Sequence, residues 1–582
     1  MNLINIVHNI CYEALISKFS IYNEIINKNI EITQTKKKIY GQYQCNSAMK
    51  FSKLIKQKPN IIANIIYNFI IEKNIYNEIF ESIKIIKPGF INFTFKKFYI
   101  INFIKKKIEN KKYCLPILKK NIKIIIDFSS PNIAKEMHIG HLRSTIIGES
   151  VSNLLKFLGY KVIKINHLGD WGTQFGILIN LLKKIYKINT KTKLNLTLKN
   201  LSIYYKLSKI HFDLNNKFKI SSHKEVKKLH YKNPISINIW KQIYKISIKS
   251  LKEIYKLLNI KILNKGESFY NSLLKDIIKN LKKKNLIIKS YKAKCIFIKK
   301  FKNKKNNILP FIIEKSNESY NYSTTDLTTI KYRILIEKTQ WIIYVTDNGQ
   351  KLHFNMLFKT AYKAKIYKKI HKVNHIKFGL ILKPNGKKFQ TRKGKNEKLI
   401  DLIKLSINKS KNILSLKNNN DNILKKESKK IGINSIKFFD LSYNPINNYK
   451  FNYNRMLNFD GYTSSFISYA NVRIISIKKY IKINNKIKYT KQFLNFSSEE
   501  EQNLSLNICQ FSEAISNSIK NLNTQKITSY LYNLADSFHI FFHSCKIHNS
   551  EKKIVRLLLC NITAKILNIC FFILNLKKIN KM

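Results

Sequence analysis

The sequence predicts an α/β protein in three parts. A Rossmann-like domain on a parallel sheet is preceded by a small α+β domain and followed by an all-α bundle. Three observations carry this reading. Residues 123–176 read as strand, turn, helix, strand. A lysine-rich helical stretch from about 180 to 290 separates that unit from a second strand and turn at 341–353. Apolar residues then recur at helical spacing from about 530 to 572. With 582 residues, several domains are expected, with bounds 1–112, 113–405 and 430–582.

In residues 1–112, helical periodicity gives way to Tyr40-Gly41-Gln42-Tyr43-Gln44-Cys45-Asn46 and then to a second helical stretch. Pro88-Gly89-Phe90-Ile91-Asn92-Phe93 follows, a turn leading into alternating apolar residues, hence a strand.

The middle domain opens on Ile124-Ile125-Ile126-Asp127, a β-branched run of the kind buried in parallel sheets. Ser129, Ser130, Pro131 and Asn132 are turn formers. Apolar residues at Leu142, Ile146, Ile147, Val151, Leu154, Leu155 and Leu158 form a helical stripe, and Gly159 stands where a C-cap belongs. A second strand, Val162 to Ile165, leads into Asn166-His167-Leu168-Gly169-Asp170-Trp171-Gly172. Such a βαβ unit places its ligand at the carboxyl ends of the strands.

The mouth of the predicted helix carries His138-Ile139-Gly140-His141. A helix N-terminus offers free N–H groups and partial positive charge to a phosphate. Gly140 permits close backbone approach, and His138 and His141 can donate to charge developing on a phosphoryl group. Half of a metal site is an alternative, but no third ligand lies nearby in the sequence; two helix-capping histidines are another. From Asn180 to Ile288, Trp240 and several tyrosines sit at helical spacing and are read as core rather than as an RNA-stacking face.

The second half of this domain holds Ser319-Tyr320-Asn321-Tyr322-Ser323-Thr324-Thr325-Asp326, then Lys331-Tyr332-Arg333. The strand Trp341-Ile342-Ile343-Tyr344-Val345 runs into Thr346-Asp347-Asn348-Gly349-Gln350-Lys351-Leu352-His353. Further on, Leu382-Lys383-Pro384-Asn385-Gly386-Lys387-Lys388-Phe389-Gln390-Thr391-Arg392-Lys393-Gly394 is a turn-rich cationic loop, suited to closing on a triphosphate. Residues 405–430, rich in Asn, Lys and Ser, read as a surface segment or flexible link. The last part contains Ile467-Ser468-Tyr469-Ala470-Asn471-Val472-Arg473 and the helical stripes of a bundle.

Lys+Arg number 108 against 33 Asp+Glu, a formal net charge of +75. That excess would bind polyanions in a salt-dependent way. The lysines are spread along the chain, however, so codon bias toward Lys and Asn accounts for most of it. The eight scattered cysteines include no Cys-x-x-Cys, against a zinc ribbon or redox pair and in keeping with a reducing cytosol. Met1-Asn2-Leu3-Ile4-Asn5 has no signal-peptide pattern. The apolar stretch Ile566 to Leu576 is broken by Asn568 and Asn575 and reads as a buried helix rather than a membrane span.

His-Ile-Gly-His, Ser-Ser-Pro-Asn-Ile-Ala-Lys before it, Leu-Arg-Ser-Thr-Ile-Ile-Gly after it and Asn-His-Leu-Gly-Asp-Trp-Gly-Thr-Gln-Phe-Gly further on together resemble the arginyl-tRNA synthetases, a class I synthetase family. The resemblance extends to Gly-x-Tyr-Gln-x-Asn and Pro-Gly-Phe-Ile-Asn in the N-terminal domain, which in that family touches the tRNA elbow; Gln42 stands where the family usually has Asp. It implies ATP-dependent activation of L-arginine and transfer to tRNA-Arg in the cytoplasm, with tRNA present for the first step. Mg²⁺ accompanies ATP; no tightly bound cofactor, protein-held metal or membrane is implied, and a monomer is expected. Lys135, His138 and His141 would be catalytic. His138, Ile139, Gly140, His141 and Gly169, with Phe389, Gln390, Thr391 and Arg392, would cradle ATP. The 389–392 stretch stands in place of the second class I signature but lacks its second lysine, and Lys135 would supply the missing cation. An arginine substrate needs a carboxylate for its guanidinium. Asp127 and Asp326 are candidates, Asp326 being equally suited to cap the following helix. The family match implies that Tyr322 and Asp326 bind arginine, that Asp127, Ser130 and Asn132 also contact the amino acid, and that Gln350 lies near it. In the C-terminal domain, which resembles the family's anticodon-binding domain, Tyr469 and Arg473 would meet single-stranded bases or pack between helices. Three alternatives remain: a class I synthetase for another amino acid, a non-catalytic tRNA-binding relative, and a general basic RNA-binding protein.

Overall fold

The structure is a computed structural model. It describes every residue except 1, 36, 110–120, 187, 317–318, 388–397, 416–420, 459–460, 481–497, 549 and 581–582. The chain divides into two compact units. One comprises Leu118–Ser465 with Phe572–Lys577; the other comprises Met1–Ile117, Phe466–Phe571 and Lys578–Met582.

The first unit is built on five parallel strands: β1 (Lys123–Asp127), β2 (Lys161–Asn166), β3 (Leu263–Asn264), β4 (Trp341–Asp347) and β5 (Lys372–Phe378), in the spatial order β5-β4-β1-β2-β3. Ile124, Ile125 and Ile126 are fully buried, as expected of a strand covered on both faces. The order reverses at β1, which pairs with β2 on one side and β4 on the other. Crossovers leave in opposite directions there and open a crevice at the strands' carboxyl ends. Helix α1 (Gly140–Phe157) links β1 to β2, and its predicted stripe, Leu142 to Leu158, is buried throughout. After β2 come α2 (Thr173–Ile185), α3 (Leu198–Leu214), α4 (Asn216–His230) and α5 (Pro234–Leu257). Trp240 of α5 packs on Trp171, with centroids 5.5 Å apart, and donates to the Asp170 carbonyl at 2.7 Å. Its polar edge is thus satisfied inside the unit, as the core reading requires.

A three-stranded antiparallel sheet (Ile288–Ser290, Ala293–Lys302, Ile308–Glu314) precedes α6 (Tyr322–Leu335), and α7 (Lys351–Lys363) links β4 to β5. The expected link at 405–430 is instead largely helical: α8 (Leu399–Ser415) and α9 (Asp421–Leu441) pack together. Leu399, Leu402, Ile403, Leu414, Leu424, Ile431 and Ile436 are buried, and Ser406 donates to the Gly432 carbonyl at 2.9 Å. Residues Phe572–Lys577 complete this unit. Asn434 of α9 holds the Lys577 backbone at both N–H (2.9 Å) and C=O (2.7 Å), and Lys437 Nζ donates to the Asn575 carbonyl at 2.6 Å. Asn153 of α1 donates to the Phe572 carbonyl at 3.1 Å.

In the second unit, the predicted turn and strand after Pro88 form one hairpin, Phe80–Ile86 with Phe90–Phe95, of a four-stranded antiparallel sheet. Glu513, buried, accepts from Tyr43 Oη (3.0 Å), Gln34 Nε2 (2.7 Å) and the Ile4 N–H (3.1 Å). The bundle comprises Ser464–Tyr480, Glu499–Cys509, Phe511–Asn521, Gln525–Ser544 and Lys553–Ile573. The last is long and apolar enough to cross a membrane by length and composition, yet its side chains are mostly buried. Ile566, Leu567, Cys570 and Phe571 are buried, as expected.

Candidate active site

The loop from β1 to α1 is held in an unusual backbone path. Ser129, Ser130 and Ala134 adopt positive φ of 70°, 45° and 65°, a region that costs non-glycine residues free energy and persists only where neighbours over-determine it. The neighbours are present. The Ser129 N–H donates to Ser144 Oγ (2.9 Å), the Ser130 N–H to Asn166 Oδ1 (2.9 Å) and the Ala134 N–H to Ser247 Oγ (3.0 Å). Asn132 bridges to Gly169, where any side chain would overlap the Asn132 amide. This brings the turns after β1 and β2 together at the crevice.

There they line a cavity of about 760 Å³. Asp127, Ser130 and Asn132 enter it from the β1 turn, His138, Gly140 and His141 from the mouth of α1, and Gly169 from the β2 turn. Tyr322 and Asp326 enter from α6 and Gln350 from the start of α7. The two imidazoles lie 4.0 Å apart, centroid to centroid. His138 Nδ1 accepts from the Gly140 N–H at 3.1 Å, and His141 Nδ1 accepts from the His138 N–H at 3.2 Å. With both Nδ1 atoms accepting, each neutral ring carries its proton on Nε2. A side chain at Gly140 would meet the His138 ring at 2.8 Å, so glycine is required for this fold-back. Burial, then the His138 charge, pushes His141 down to about 3; burial, then Lys135, lowers His138. Both rings are therefore neutral donors at physiological pH. Ile139 is buried and does not line the cavity.

The carboxylates differ. Asp127 is already engaged: Arg333 of α6, fully buried, donates to Oδ2 at 2.6 Å, and Ser130 donates to Oδ1 at 2.9 Å. Asp127 thus enters the cavity already paired with a buried guanidinium, and its geometry fixes Ser130. Asp326 does not cap α6. That role falls to Asn321, and Asp326 lies inside the helix with Oδ2 2.7 Å from His353 Nε2. Glu267, which sequence reasoning did not single out, lines the same cavity. Burial first, then the Asp170 and Asp326 charges, pushes its carboxyl up to about 8. Its only sequence signal is an acid after Gly266 in a lysine-rich stretch. Among the described residues no group of three or more His, Cys, Asp or Glu is placed to hold a metal ion.

The cationic loop is described at its two ends. Ile381 lines the cavity and Lys383–Lys387 makes a tight turn. On the far side Lys398 pairs with Glu136 (2.9 Å) and bridges the His138 backbone. Phe389, Gln390, Thr391 and Arg392 lie outside the described residues.

Three family models cover the chain: "Arginyl tRNA synthetase N terminal domain" at residues 5–95, "tRNA synthetases class I (R), catalytic domain" at 104–453, and "DALR anticodon binding domain" at 467–582. The chain is 41% identical to the arginine–tRNA ligase of Protochlamydia amoebophila and 39% identical to that of Chlamydia caviae, each over all of both chains. The chain belongs to the arginyl-tRNA synthetase family. The arginyl-tRNA synthetase structure from Plasmodium falciparum matches with a TM-score of 0.84 at 32% identity, covering 100% of this chain and 99% of that one. That from Thermus thermophilus shares the fold, with a TM-score of 0.79 at 16% identity over both whole chains.

Two residues expected to meet tRNA in an arginyl-tRNA synthetase lie in the bundle. Arg473 stacks over Tyr469 (4.4 Å) and Phe542 (4.8 Å) and reaches His543 Nε2 at 2.9 Å and His539 Nδ1 at 3.3 Å. Tyr469 remains 41% exposed. Lys135 is exposed and does not line the cavity; its ammonium lies over the Tyr205 ring at 4.1 Å.

Proposed function

We propose that this enzyme, an arginine–tRNA ligase, holds the arginine guanidinium against Asp326 and Glu267, with Tyr322 alongside, while ATP lies over the α1 mouth. The carrying observation is that these carboxyls share one cavity with His138 and His141. A carboxylate pair matches a planar cation with several donors. Ser130 and Asn132, with Gln350 opposite, would take the α-amino and carboxyl end.

A carboxylate oxygen of arginine attacks the α-phosphorus of ATP. The bond to the β-phosphate oxygen breaks, pyrophosphate leaves, and arginyl-adenylate remains. The Nε2–H groups of His138 and His141 donate to the charge that builds on the phosphoryl oxygens, and Lys135 stands in for the second signature lysine that the late loop lacks. Catalysis is positioning and charge stabilisation, with no protein nucleophile. Mg²⁺ enters as the companion of the ATP phosphates. A hydroxyl of the 3′-terminal ribose of tRNA-Arg then attacks the adenylate carbonyl; AMP leaves, and its phosphate is positioned to take the hydroxyl proton. The N-terminal domain would touch the tRNA elbow, and Tyr469 and Arg473 the anticodon bases. The enzyme is proposed to act as a cytoplasmic monomer and to need tRNA for the first step.

The test is amino-acid-dependent pyrophosphate exchange with tRNA-Arg present, followed by aminoacylation of tRNA transcripts. Arginine should support both and lysine neither, since a site built to hydrogen-bond guanidinium rejects a ligand that leaves those groups unpaired. Equal exchange with lysine or cysteine would overturn the arginine assignment; full tRNA binding without exchange would indicate a non-catalytic relative.

A further inference from the structure

The helical segment α3–α5 touches the β1–α1 loop at three points. Tyr255 of α5 shares a hydrogen bond with Ser129 Oγ (2.8 Å), and Ser247 of α5 accepts from the Ala134 N–H (3.0 Å). Tyr205 of α3 offers its ring face to the Lys135 ammonium, 4.1 Å from the centroid. The first two contacts are buried and hold backbone in the left-handed region at Ser129 and Ala134. The third acts on the next residue along. The Lys135 side chain is exposed, and a four-carbon stem in solvent would ordinarily sample many rotamers. The neighbouring acid, Glu136, is paired with Lys398 at 2.9 Å. The Lys135 charge contributes, after burial, to lowering both His138 and His141.

We propose that Tyr205 is a positioning residue that holds the Lys135 ammonium, three residues before His138 on the β1–α1 loop, for the adenylate-forming step. The inference rests on the catalytic role of Lys135 proposed above. It gives the helical segment between β2 and β3 a task in the chemistry: α5 fixes the loop backbone and α3 fixes the cation. A cation over an exposed aromatic face is modestly stabilised, so removing the ring should slow the step about two- to fivefold.

The experiment is pyrophosphate exchange by the full chain with tRNA-Arg. It compares wild type, Tyr205→Leu, Tyr205→Phe, Lys135→Ala and the double variant Lys135→Ala/Tyr205→Leu. Tyr205→Leu should lower kcat with the arginine KM unchanged, Tyr205→Phe should restore most of kcat, and Tyr205→Leu should cost nothing further once Lys135 is alanine. An equal loss in both backgrounds would overturn the proposal, because the tyrosine would then act only through packing. A kcat for Tyr205→Leu at or above wild type, beside a slow Lys135→Ala, would overturn it too. Full kcat in Lys135→Ala would instead remove the reading on which it rests. Should leucine unsettle α3, Tyr205→pentafluorophenylalanine keeps the volume while removing the negative ring face. It should behave as leucine does; wild-type kcat there overturns the proposal.

Discussion

Glu267 is the residue with the most to report about substrate charge. Its carboxyl is held up at about 8, so at pH 7 it is mostly protonated, and a guanidinium placed against it would favour the ionised form. Arginine binding at pH 7 should therefore release a proton, and the release should fade by pH 9, where Glu267 is already ionised. Calorimetry in two buffers of different ionisation enthalpy reads this directly, and Glu267→Gln should abolish it. Asp326→Ala should raise the arginine KM by about 100-fold, as expected when one partner of a charged pair is lost, with tRNA affinity near normal by filter binding. Lys135→Ala should lower kcat for adenylate formation more than Lys388→Ala does. The residues legible in the sequence were those of continuous patterns, the histidine motif and the tyrosine–aspartate spacing of α6. The partners of Asp127 and Asp326 were not, because Arg333 and His353 reach them only through the pairing of β1 with β4 and the packing of α6 beside α7.

At the scale of elements, β1 and α1 followed from an apolar run and a helical stripe bounded by turn and cap residues, since one face or both must be buried. The α8–α9 pair did not, because frequent Lys and Asn on the exposed face hide a sparse apolar repeat. Its packing makes a sharp prediction. A side chain at Gly432 would meet the Ile407 backbone at 2.8 Å, and backbone gives way less readily than a side chain. Gly432→Ala should cost about 1 to 3 kcal/mol, seen as a lower midpoint in thermal denaturation. Arg143 ties the same region to α1: its guanidinium pairs with Asp440 of α9 (3.0 Å) and donates to the Gly379 and Asn447 carbonyls (2.8 Å each). The α1 mouth is thus braced by a helix pair that composition made look like a linker.

At the scale of the molecule, the net charge of +75 predicts tRNA binding that weakens steeply between low and physiological salt. Buried Lys437 makes stability depend on pH. Burial pushes its ammonium down to about 7 from its ordinary value near 10.5, so the fold favours the neutral amine. That contribution is present above about pH 10.5, is lost as pH falls to about 7, and changes little below. Lys437→Met should accordingly gain stability relative to wild type between pH 9 and pH 7, by thermal denaturation, and hold that gain at pH 6. The residues that Lys437 and Asn434 grip, Phe572–Lys577, are separated along the chain from the other part of their unit, which ends at Ser465, by more than a hundred positions. Synthesis proceeds from the N-terminus, so the nascent sheet unit must wait, one piece short, until residue 577 has cleared the ribosomal exit tunnel. An enzyme that supplies the ribosome with charged tRNA thus completes its own catalytic fold only after more than a hundred residues beyond Ser465 have been made.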